Sequence, residues 1–121
     1  MSAESEVRAI LIASSALLAA LPAGAASIAV DQTPDENMPR PHICFSKQYD
    51  RPTFGLDNTL LSRTQGISIQ VVGVDRANAI AVRELVEDAL LAGGLPWTDG
   101  AGGYDPEIDL EAEILTVEWI T

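Results

Sequence analysis

A chain of 121 residues is long enough for one hydrophobic core and too short for two, so a single domain spans 1–121. Nearly half of its residues are apolar and few are aromatic, so that core must be built from Ile, Leu, Val and Ala. The formal charge of -11 argues against sequence-specific binding of DNA or RNA, which needs a basic face, and against adsorption to anionic membranes.

The first element is a helix. Val7, Ile10, Leu11, Leu17, Leu18 and Leu21 recur at three-and-four spacing, which predicts one amphipathic helix from about Ala3 to Ala20. Ser2 suits its N-cap, Glu4 and Glu6 favour its first turn, and Pro22 and Gly24 end it. The same segment invites a second reading, because Ala9 to Ala20 is apolar and Ala23-Gly24-Ala25 looks like the cleavage signal of a secretory leader. A leader wants a clearly positive start, whereas Glu4, Glu6 and Arg8 precede this run. The run is also too short to span a bilayer. A secreted or periplasmic acidic binding domain, freed of its leader, stands as the alternative.

Ser27 to Val30 is expected to form a short strand, followed by a proline-rich loop from Asp31 to Pro41. His42 to Ser46 is a second strand, and the turn formers Pro52, Gly55 and Asn58 make residues 47–62 a long exposed loop or hairpin tip. Thr64 to Val74 is the clearest strand. Its alternation of Ile67, Ile69 and Val71 gives way to Val72 and Val74, as at a bulge or where both faces are buried. Asp75 caps a helix that runs to Ala92, buries Ala79, Val82, Val86, Ala89 and Leu90, and stops at Gly93-Gly94.

A glycine-rich connector, Gly93 to Gly103, then leads to the last strand, where Ile108, Leu110, Ala112 and Ile114 face one way. Glu107, Asp109, Glu111 and Glu113 face the other, before the phase slips to Leu115, Val117 and Trp119. The predicted fold is α+β: a mostly antiparallel sheet of about four strands, two helices packed on one face, and a long central hairpin loop.

The chemistry-bearing residues are sparse. Alternate carboxylates on a strand lie roughly 7 Å apart and repel one another unless a cation sits between them. The single histidine and single lysine are both remote in sequence from this strand, so a small carboxylate-based hydrolase is only a distant alternative. One-sided solvation of a sheet explains the alternation more simply. Asp99 and Asp105 are too widely and irregularly spaced for a calcium loop, and the glycines between them have no basic residue to bind phosphate. His42 and Cys44 share a strand face but cannot supply four zinc ligands, and a lone cysteine is ordinarily a small apolar residue in or near the core. No catalytic, metal or cofactor residues are therefore assigned, and no cofactor is expected.

Charge is segregated along the chain. Arg40, Lys47, Arg51 and Arg63 occupy the middle, and from Glu84 onward every ionised side chain is an acid.

The layout resembles the tail completion, or tail terminator, proteins that join head to tail in long-tailed bacteriophages and gene transfer agents. Similar features are the opening Ser-Ala-Glu-Ser-Glu-Val-Arg-Ala-Ile-Leu, the strand Pro39-Arg-Pro-His-Ile-Cys-Phe, the passage from Gln65 through Val86, and Tyr104-Asp-Pro-Glu before a long strand. The likeness is one of pattern and length over nearly the whole chain. It implies a virion protein of the neck, assembled in the host cytoplasm as a hexameric ring without covalent chemistry. The major tail tube protein would lie on one side and a head-completion protein on the other, with DNA passing through the centre. A ring uses heterologous contacts, so Lys47, Arg51 and Arg63 are candidates to meet acids of an adjacent subunit or of the tube. Glu107, Asp109, Glu111 and Glu113 are candidates for a face that looks down the channel and repels DNA, or that meets a neighbour.

Overall fold

A computed structural model describes residues 3–29, 39–95, 97–105 and 110–120. The N-terminal apolar segment folds as two helices, α1 (Ala3–Ile12) and α2 (Ser15–Ala20), in place of the single helix expected. The break falls at Ser14, whose backbone is extended and whose hydroxyl accepts the Leu17 N–H as the N-cap of α2. Val7, Leu11, Leu17 and Leu21 nevertheless enter the core, as their spacing requires. Arg8 ties α1 to the start of the sheet: its guanidinium donates to the carbonyls of Ala25 and Ile28, at 2.9 and 3.1 Å.

After a 3₁₀ turn over Gly24–Ser27 comes β1 (Ile28–Ala29). The proposed Ser2 cap, the end of the first strand at Val30, and residues 31–38 of the loop lie outside the described residues.

Among the described residues the sheet has five strands in the order β1-β2-β3-β5-β4, one more than expected. β1 runs parallel to β2 (His42–Phe54); β2, β3 (Leu60–Gly73), β5 (Leu110–Ile120) and β4 (Trp97–Asp105) are joined by antiparallel ladders. Two expected loops are strands. Residues 47–54 continue β2 and 60–62 begin β3, leaving only 55–59 as a turn, and most of the glycine-rich connector forms β4.

The β3–β5 register is unbroken from Thr64↔Ile120 to Gly73↔Glu111. β3 therefore carries no bulge against β5, and Val71 and Val72 are both fully buried because that end of the strand is covered on both faces. Nor does β5 slip its phase: Glu113, Leu115 and Val117 share one face of an uninterrupted strand, with Ala112 and Ile114 on the other.

α3 (Arg76–Ala92) matches its expected span and buries Ala79, Val82, Val86, Ala89 and Leu90. The helices lie on one face of the sheet, α1 over β2 and β3 and α3 over β3 and β5. Between the layers, Ile43 and Val71 form one cross-strand pair and Phe45, Ile69 and Leu115 the next row, all buried. Cys44 is buried and not part of a disulfide.

Candidate subunit interface

Lys47, Arg51 and Arg63 lie on a hairpin that outgrows its cover. β2 has 13 residues, hence a length of roughly 40 Å, but only its first four, His42–Phe45, are buried. The first four residues of β3, Leu60–Arg63, likewise include no buried position. The departure from the core coincides with a β-bulge, a register shift between Lys47 and Tyr49 that adds twist to the strand. Beyond it the hairpin forms an arm uncovered by the helices.

The arm is closed by a hydrogen-bonded turn: Gly55 N–H donates to Thr59 at 2.8 Å and Asn58 N–H to Gly55 at 3.0 Å. Asn58 takes a left-handed φ of 65°, which Asn tolerates better than most residues. Hydrogen bonds from Thr59, side chain first and backbone second, hold the Asp57 carboxyl below its ordinary pKa. On both sides of this polar turn the arm is apolar. Phe54, Leu56, Leu60 and Leu61 are all exposed, Leu56 completely, and Phe54 pairs with Leu60 across the ladder.

The three candidate cations occupy the stem. Arg51 stacks on the Tyr49 ring, with its guanidinium carbon 4.2 Å from the centroid. That ring crosses Gly66, where an added Cβ would collide with it, and its hydroxyl donates to the Glu118 carboxylate. The bond to Glu118 is the main cause that raises the Tyr49 pKa, followed by burial and the negative charge of the same residue. Arg63 pairs with Asp50 at 3.2 Å.

By register, Lys47 and Arg63 belong to the side of the sheet that bears the helices and Arg51 to the opposite side. They form a collar around the stem and not one patch.

The members of the acidic strand have different settings. Glu107 and Asp109 lie outside the described residues, and Glu111 is placed only by its backbone register, opposite Gly73 and Tyr104. Glu113 corrects the expectation of an acid on a wet or channel-facing surface. It is 6% exposed, lies on the helix-bearing side, and faces Arg83 of α3 at 3.6 Å. Arg83 also binds Glu87 one turn along at 2.9 Å and lies across Gly100 of β4, where a Cβ would collide with its guanidinium.

The cation beside Glu113 is Arg83, remote in sequence, and not a neighbouring lysine or histidine. The available signal was the Arg83/Glu87 spacing of four on a helix that must cross the last strand. Among the described residues no group of three or more His, Cys, Asp or Glu could hold a metal. Neither protein-family models nor curated proteins match the chain in sequence.

Proposed function

We propose that this chain is a ring-forming structural subunit of a phage-like tail. It caps the head-proximal end of the tail tube, halts tube growth and joins the tail to head-completion proteins, while DNA passes through its centre. One observation carries the reading most: a small acidic domain extends a hairpin arm with an apolar tip and a basic stem. Such an arm gives its own chain no core contact, and exposed apolar side chains gathered in one place mark a surface that meets another protein.

The segregation of charge supports self-assembly, because the basic stem complements the acidic remainder of a neighbouring copy. The net negative charge suits a conduit through which DNA slides without adsorbing. The resemblance of layout to tail terminator proteins supplies the position in the virion and the hexameric state.

The test is native mass and negative-stain imaging of the purified protein, alone and with tail-tube protein. Six-fold rings seated at one end of tubes of limited length are expected. Tubes that grow unchecked, with no density added at either end, would refute the assignment.

A further inference from the structure

A cleft of about 540 Å³ opens between the first two helices and α3. Its walls include Ala9, Ile10, Ala13 and Ala89, and acids contribute to the lining from both sides, Glu6 on α1 and Asp88 on α3. Alanines leave room where larger side chains would have met, so the cleft is an apolar slot flanked by negative charge. The arm is its counterpart: Phe54, Leu56, Leu60 and Leu61 present aliphatic and aromatic bulk on either side of Asp57, at the end of a stem that carries Arg51 and Arg63, the latter paired with Asp50.

We infer that the cleft receives the β2–β3 tip of a second copy of this chain. The step rests on the self-assembling part of the function proposed above and adds the surfaces through which it occurs.

Complementarity chooses the occupant. An apolar tip on a basic stem fits an apolar slot lined partly by carboxylates, and the chain itself carries both pieces. The ladder from Tyr49↔Gly66 to Thr53↔Ser62 holds the tip out along the strand direction, so the tip serves a neighbour and not its own chain. Tip and cleft are different surfaces. Each copy therefore offers one of each, and the contact propagates head to tail until rotation closes a ring.

Mixing two damaged forms tests this directly. The double variant Leu56→Asp, Leu61→Asp spoils the tip and leaves the cleft intact, whereas Ala13→Lys, Asp88→Lys spoils the cleft and leaves the tip. All four positions are exposed, so the fold should survive, which circular dichroism checks; Leu56→Ser, Leu61→Ser is the milder tip variant.

Sedimentation velocity should find the parent assembled and each variant alone monomeric. Losing two leucines that the contact would bury is expected to weaken association by about 100-fold or more. An equimolar mixture should give one-to-one dimers that grow no further, since one good tip meets one good cleft. A parent that stays monomeric at submillimolar concentration, or a tip variant that assembles like the parent, overturns the inference. A parent that self-assembles through these surfaces but ignores tail tubes defeats the tail assignment alone. A tip variant that still caps tubes as rings defeats this contact alone.

Discussion

Arg83 bridges three elements: it binds Glu87 within α3, faces the buried Glu113 of β5 and crosses the bare backbone of β4 at Gly100. A buried carboxylate stripped of its cation leaves charge without compensation, which costs more than the intact pair contributes. Arg83→Met should therefore lower unfolding free energy by about 2 kcal/mol, the scale expected when a buried charged group loses its partner. The double variant Arg83→Leu, Glu113→Leu should recover most of that loss, because packed apolar side chains replace a buried pair at little cost. Urea denaturation of the three proteins measures both effects; a double variant as unstable as Arg83→Met would mean that shape, not charge, governs the site. At Gly66 the space is already taken by the Tyr49 ring, so Gly66→Ala must push the ring aside and break its bond to Glu118. That overpacking should cost about 1–3 kcal/mol. At the turn, the depressed Asp57 pKa means that its ionised form favours the folded turn. This contribution is present above the unfolded carboxylate pKa and is lost as pH falls through the lower folded value. Amide exchange at Asn58 and Thr59 should therefore indicate the turn loosening in acid before the core does.

Among the elements, α3 was the most legible in the sequence, and its physics is local. Asp75 accepts the Asn78 N–H at 2.8 Å while Asn78 accepts the Val74 N–H at 2.9 Å, a reciprocal arrangement that satisfies groups at the helix start. Asp75→Ala should cost about 1 kcal/mol in thermal or chemical unfolding, as lost N-caps do. β4 was illegible for the converse reason. Residues 99–105 include three glycines, which weaken a strand taken alone, and only pairing along β5 from Leu110 to Val117 makes the segment extended. The arm was only partly visible: its turn formers were read correctly as a tip, but Pro52 and the scattered polar residues concealed that the strands continue almost to it. Glu113 was misread because a carboxylate in an alternating run suggests water, and the cation that shelters it comes from another element.

On the scale of the whole molecule, the core and the surface proposed for assembly occupy different parts of the chain. The core uses the helices, Ile28 of β1, Leu115 and Val117 of β5, and the halves of β2 and β3 that the helices cover, and the arm beyond Arg51 and Thr64 contains no buried residue. Replacing residues 52–63 by Asn-Gly should close a short hairpin between those paired positions and leave thermal stability nearly unchanged, while self-association disappears. A large drop in melting temperature would mean that the arm belongs to the folding unit. Assembly of the parent should also weaken as salt rises, because the complementary charges are exposed and screened over about 10 Å at 0.1 M.

The two-residue length of β1 bears on the fate of the protein at high concentration. It pairs with only Ile43 and Cys44, so among the described residues the remaining outer edge of β2 has no strand beside it. An open edge of that length could template the next chain by continuing the ladder, the route to fibrils. Here it is interrupted by a bulge beside Lys47 and by Pro52, which has no N–H to offer. The same irregularities that disguised the arm as a loop thus serve as gatekeepers against backbone pairing between chains.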